Sequence, residues 1–159
     1  MKLFSVLAVG LMLAGPVLAQ DFDKGLVAYW AGDYATALQE WRPLAEQGSA
    51  QAQRNLGFMY SNGEGVLQDY AEAVKLYRLA AEQGNTVAQL GLGDMYDLGR
   101  GVLQDDVLAH MWFNIVGANG DPRGSENRGI IEKRMTREQI AEAQALARRC
   151  MASNYQDCG

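Results

Sequence analysis

The sequence predicts an all-α fold, an α/α superhelical solenoid of stacked helix hairpins closed by a C-terminal pair of capping helices. Three observations predict it. GFMYSNGEGVLQDY at residues 57–70 returns 36 residues later as GDMYDLGRGVLQDD at residues 93–106. DYATALQEWRPLAEQG at 33–48 returns at the same offset as DYAEAVKLYRLAAEQG at 69–84. A fixed period of this length marks an array whose unit is one supersecondary element. Within the unit, Ala52, Leu56, Met59 and Tyr60 fall at i, i+4, i+7 and i+8, which is one face of a helix and not of a strand.

The N-terminal stretch MKLFSVLAVGLMLAGPVLAQ reads as a leader. Lys2 is followed by an apolar run too short to span a bilayer comfortably, then by Gly15-Pro16 and the small residues that a signal peptidase accepts. Cleavage is expected after Ala19, making residues 1–19 a signal peptide; an uncleaved anchor is the alternative. No Cys follows that point to carry a lipid. The expectation is a periplasmic or secreted protein with no membrane span after cleavage. Loss of Lys2 would move the formal net charge of the 159-residue chain from −5 to −6. That acidity argues against nucleic acid, whose phosphates require a basic face, and against anionic membranes.

Residues 20–121 divide into a shortened first unit at 20–49, a second at 50–85 and a third at 86–121. In the second unit Gly63 and Gly65 end the first helix, since Gly-x-Gly-Val needs backbone angles that residues with a Cβ avoid. Asp69 is placed to cap the second helix and Gly84 to close it. Asp105 and Gly120 repeat these roles one unit later. Gly57, Gly93, Ala73 and Ala109 lie inside helices; the missing side chains are expected to let helix backbones approach closely. One hairpin cannot bury its own apolar face, so the units must stack.

After residue 121 the period stops. Asp121-Pro122 reads as a cap and first turn, starting a helix to about Arg134. Thr136 and Gln139 form a capping box before a last helix with Ile140, Ala143, Ala147 and Cys150 on one stripe. This pair, in the region 122–159, is expected to cover the open end of the stack. Cys150 and Cys158 read as a disulfide in an oxidising compartment, with free thiols as the alternative. Continuous helix would hold their Cα atoms about 12 Å apart, whereas a disulfide wants about 4.4–6.8 Å. The helix is therefore expected to turn at Ser153-Asn154.

No residue set suggests catalysis, a cofactor or a metal. His110 is the only histidine, so no triad or multi-His site can form; a helix-packing or surface role is expected. Asp94, Asp97, Asp105 and Asp106 lack calcium-loop spacing. GEG and GRG follow helices and not strands, so they are not dinucleotide loops.

The pattern AxxxLGxMYxxGxGVLQDxxxA followed by AAEQG resembles the Sel-one-like repeat family, a branch of the tetratricopeptide superfamily, over about residues 33–121. The tail after residue 110 is similar to that of exported proteobacterial members. Two departures stand out: the first unit lacks Gly-x-Gly-Val, and Ile115 to Gly120 lacks the AAEQG form. The resemblance implies a solenoid that binds a protein or peptide on a concave face lined by the first helix of each pair; with no nucleophile–base pair visible, no enzymatic activity is expected. Gln51, Arg54, Phe58 and Ser61 then form the candidate surface, with Val87, Leu90, Asp94 and Asp97 as their counterparts. Phe22, Leu26 and Tyr29 extend it in the first unit. Phe58 and Leu90 are the expected apolar anchors. Two other functions stay open: binding of peptidoglycan or of a murein-processing enzyme in the cell envelope, and β-lactam binding or hydrolysis. The resemblance associates the last with relatives carrying a cysteine pair in every repeat, which this chain lacks.

Overall fold

A computed structural model describes residues 21–158; the expected leader lies outside them. The described residues form eight α-helices and no strand. They pair as α1 (Phe22–Trp30) with α2 (Tyr34–Glu46), α3 (Ala50–Asn62) with α4 (Tyr70–Ala81), and α5 (Thr86–Leu98) with α6 (Asp106–Ala118). They are followed by α7 (Pro122–Ile131), a 3₁₀ turn at Glu132–Arg134, and α8 (Arg137–Ala152). Each odd helix also packs on the even helix before it, so the hairpins stack in register. The predicted solenoid is the observed fold.

The first hairpin is complete. Its first half is short in both helix and turn: α1 has 9 residues where α3 has 13, and residues 31–33 join α1 to α2 where residues 63–69 join α3 to α4. The caps follow the sequence. Asp33, Asp69 and Asp105 each accept a backbone N–H at the start of an even helix. Gly63 and Gly99 are left-handed C-caps at φ 72° and 62°, orphan-carbonyl ends that a Cβ would strain.

The hydrogen bonds between units repeat with the sequence. The buried Gln53 amide donates to Ala45 O (3.1 Å), and Gln89 donates to Ala81 O (3.2 Å). Gln68 and Gln104 close the loops onto Ser61 O (2.8 Å) and Asp97 O (2.9 Å). Gln83 donates to Gln53 Oε1, and Asn119 to Gln89 Oε1. Ala45 O and Ala81 O also accept from Gly48 N and Gly84 N, so the glutamines add a second bond at each helix end and link one hairpin to the next.

The helical glycines act differently from the expectation. A Cβ at Gly57 would lie 2.8 Å from the Tyr77 ring, and one at Gly93 would collide with Phe113. At Gly25 it would collide with Trp41. Each glycine receives an aromatic ring of the paired helix, not its backbone. Close backbone approach occurs instead at the loop, where a Cβ on Gly101 would meet the Tyr70 carbonyl. It occurs again where Gly124 of α7 meets Gly117 of α6. Gly117 stands where the AAEQG form would place a Cβ, so this departure from the repeat is what lets α7 dock.

Two C-terminal helices follow the stack, as expected. Both α7 and α8 pack on α6, but they make little contact with one another. α7 occupies the place of the next odd helix at the end of the stack. α8 buries Ala143, Ala147 and Cys150, the last two in the core formed by α4 to α6. The capping box at Thr136 and Gln139 is present. Past Ser153 the chain turns through Asn154 and Tyr155, both at positive φ, and Cys150 and Cys158 form a disulfide with Cα atoms 4.4 Å apart. The closed loop reaches back along the array: Tyr155 lies over Gly84, and Gln156 donates to Glu82 O (3.1 Å).

Candidate functional site

Trp30 at 78% and Phe58 at 45% exposure leave large apolar groups in water on the odd-helix face. Between them lies a cleft of about 270 Å³, walled by Leu26 and Tyr29 of α1 and by Arg54, Asn55 and Phe58 of α3. Trp41 and Tyr77, from the even helices, form its floor, and Val87 of α5 its far edge. Those floor residues are the same rings that fill the Gly25 and Gly57 notches, so the glycines that stack the helices also set the depth of the cleft. Tyr29 organises the aromatic wall. Its ring lies 5.7 Å from Trp41 and 6.5 Å, edge-on, from Phe58, and its hydroxyl donates to Glu64 (2.7 Å). Burial, with Glu64 adding to it, holds the Tyr29 phenol well above its ordinary value.

The groove continues past Phe58 and Val87 as a second hollow of about 310 Å³, whose walls are more polar. Ser61, Asp94, Arg100 and Arg123 line it. Burial, helped by neighbouring Asp97 and opposed by Arg123 and Arg100, pushes the Asp94 carboxyl up to about 6.

The eight predicted surface residues separate into groups. Arg54, Phe58, Ser61, Val87, Leu90 and Asp94 line the two hollows. Gln51 is exposed but lines neither. Asp97 instead pairs with Arg134, which also binds Asp106 (2.8 Å), so it ties α5 to the 3₁₀ turn. Leu90 does not match its expected role as an exposed anchor. It is 8% exposed and packs with Ala109, Phe113, Val116 and Ile131, because α7 covers that part of α5. Phe22 lies against Trp41 at 5.9 Å, outside the lining, while Leu26 and Tyr29 belong to it. Trp30 and Asn55 were not expected. Trp30 closes its helix and has no repeat counterpart; Asn55 was legible only as a polar residue where the next copy has Gly91.

His110 is fully buried, with Nε2 2.9 Å from Glu132 Oε1, a contact that joins α6 to the 3₁₀ turn. Among the described residues no group of three or more His, Cys, Asp or Glu is placed to hold a metal ion. No described helix is long and apolar enough to cross a membrane.

The repeat register agrees with known proteins. The Sel1 repeat model matches residues 50–85 and 86–121. A solved Sel1 repeat protein from Oxalobacter formigenes is 34% identical, with a TM-score of 0.62, over 68% of this chain and 84% of that one. The chain belongs to the Sel1 repeat family. A second solved Sel1-type relative is c5321, a protective antigen present in uropathogenic Escherichia coli strains displaying an SLR fold. It is 33% identical, with a TM-score of 0.77, over 82% of this chain. The present chain spans only 30% of c5321. No curated protein matches the sequence.

Proposed function

We propose that this Sel1 protein is an exported, non-enzymatic scaffold that holds a protein or peptide partner across the odd-helix face of α1, α3 and α5. One observation carries the reading: the exposed aromatic groups Trp30 and Phe58 flank an apolar cleft on a face where the two matched repeats differ in every surface position. Exposed aromatic residues around a pocket are the usual anchors of protein recognition. Export is supported by the leader-like sequence and by the Cys150–Cys158 disulfide, which suits an oxidising compartment. The likeness to a protective antigen supports a place in or outside the cell envelope.

Crosslinking capture from the source envelope tests the reading. Wild type is expected to retain partners that Phe58→Ala and Trp30→Ala lose. Retention by both variants would move the binding face elsewhere. Leu90 is unsuitable for this purpose, since its replacement by a charge would disturb the core between α5 and α7.

A further inference from the structure

Two residues that line the cleft between α1 and α3 each carry a polar atom buried behind its wall without a partner. Asn55 is only 6% exposed, and its Nδ2 is buried with no hydrogen-bond partner. Nε of Arg54, the preceding residue, is in the same condition. Buried polar groups in native proteins are nearly always paired, so each exception calls for a reason. The interhelical glutamines show that this fold satisfies its buried amides where they serve stacking. Two adjacent exceptions on one wall of a cleft point to acceptors that come from outside.

Both orphaned atoms are donors, which selects the ligand chemistry. Arg54 is the only charged residue lining the cleft, and it forms no ion pair among the described residues. In a chain of net charge −5 this is a cationic spot on an acidic molecule, complementary to an anionic group. Asn55 offers an amide donor and acceptor together, which matches one peptide unit of an extended chain. Its terminal torsion is soft, so Nδ2 can turn toward an arriving carbonyl. The remaining walls are aromatic and aliphatic. At about 270 Å³ the cleft lies just under the range of about 300–1,000 Å³ typical of drug-sized ligand sites, which suits a single side chain.

We propose that this cleft receives an extended peptide in which a large apolar residue adjoins an acidic one. The apolar side chain seats between Trp30 and Phe58, a main-chain carbonyl accepts from Asn55, and the acidic side chain accepts from Arg54. The proposal rests on the peptide-binding reading of the odd-helix face and specifies its ligand.

The test uses the purified full chain and three fluorescent peptides with amidated C-termini. They differ only at two central positions: Phe-Glu, Phe-Gln or Ser-Glu. By fluorescence anisotropy the Phe-Glu peptide binds, and the other two bind at least about tenfold more weakly. Arg54→Gln abolishes the preference for Glu over Gln. Asn55→Leu weakens binding about tenfold but leaves Tm unchanged or raised, because it removes an unpaired buried donor at similar volume. A merely structural Asn55 would lower Tm on this change. Equal binding of the Phe-Glu and Phe-Gln peptides, or a fall in Tm for Asn55→Leu, would overturn the proposal. If no peptide binds while envelope partners are still captured in a Phe58-dependent way, the ligand chemistry is wrong and the scaffold reading stands.

Discussion

The units at 50–85 and 86–121 share a scaffold and differ in the face they present. Gln53 and Gln89 make the same bond to the preceding even helix, and Gln68 and Gln104 close the same loop. Gly57 and Gly93 each accept an aromatic ring at the same place. On the odd-helix face nothing is kept: Arg54 corresponds to Leu90, Asn55 to Gly91, Phe58 to Asp94 and Ser61 to Asp97. The repeated letters are those that join one hairpin to the next. The repeat-to-repeat bonds do not use these positions, so they diverge: Leu90 and Asp97 are taken up by α7 and the 3₁₀ turn, and the rest forms an aromatic cleft at one end and a polar hollow at the other.

The largest expected effect attacks the shared part. Gly101 sits at φ +71° where a Cβ would run into the Tyr70 carbonyl, so Gly101→Ala meets both a left-handed backbone and a neighbouring main chain. It should destabilise by about 2–4 kcal/mol in chemical denaturation. Gly99→Ala should cost only about 1 kcal/mol, since its Cβ would have ordinary room apart from a tight approach to Gln104. Equal costs would mean that loop conformation alone, and not contact between units, explains the repeated Gly-x-Gly.

Next come the paired glutamines. Gln53→Ala and Gln89→Ala each remove a buried amide that donates to the preceding helix end and accepts from Gln83 or Asn119, and each should cost about 1–3 kcal/mol. The two values should agree within about 0.5 kcal/mol if the units are equivalent as scaffold. A large difference would show that the repeated bond serves unequal purposes.

Much of this was legible in the sequence because repetition reports contacts made twice. The hairpins, their caps, the glycine loops and the turn that admits the Cys150–Cys158 disulfide all follow from local spacing. The binding face was only partly legible, since helical spacing shows which residues leave the packing stripe but not what covers them. Leu90 leaves that stripe and is nevertheless buried, because α7 lies across it. α7 belongs to no repeat, and its docking depends on the meeting of Gly117 and Gly124, a contact between segments that share no pattern. Asn55 escaped notice because an unpaired buried amide is visible only once its surroundings are known.

Asp94 sharpens the comparison in the opposite direction, toward stabilisation. Burial, then Asp97 on its own helix, raises its carboxyl to about 6; Arg100 in the following loop and Arg123 on α7 oppose the shift. Asn127 of α7 donates to Asp94 Oδ1 at 3.5 Å, and Ser61 and Tyr77 line the same hollow. A folded-state value above the ordinary 3.8 means that protonation favours the fold. That contribution is fully present below pH 3.8 and is lost as pH rises through about 6. Asp94→Asn should therefore match wild type near pH 4 and exceed it by about 1–2 kcal/mol at pH 8, after allowance for solvent screening of a partly exposed group. A variant less stable at pH 8 would show that the Arg123 and Arg100 attractions outweigh desolvation.

The smallest effect on stability belongs to the counterpart of Asp94. Phe58 is half-exposed, and alanine is the better helix former, so Phe58→Ala should change unfolding free energy by less than about 1 kcal/mol. Its edge-on contact with Tyr29 is the main interaction lost. The same substitution should abolish partner capture. A residue that costs little to remove from the fold but much to remove from the complex is retained for the complex, and that separation of effects is what a face free of stacking duties predicts. If Phe58→Ala instead lowered stability by 3 kcal/mol or more, on the order of a core truncation, Phe58 would belong to the scaffold. The division between shared framework and divergent face would then fail at the residue on which it most depends.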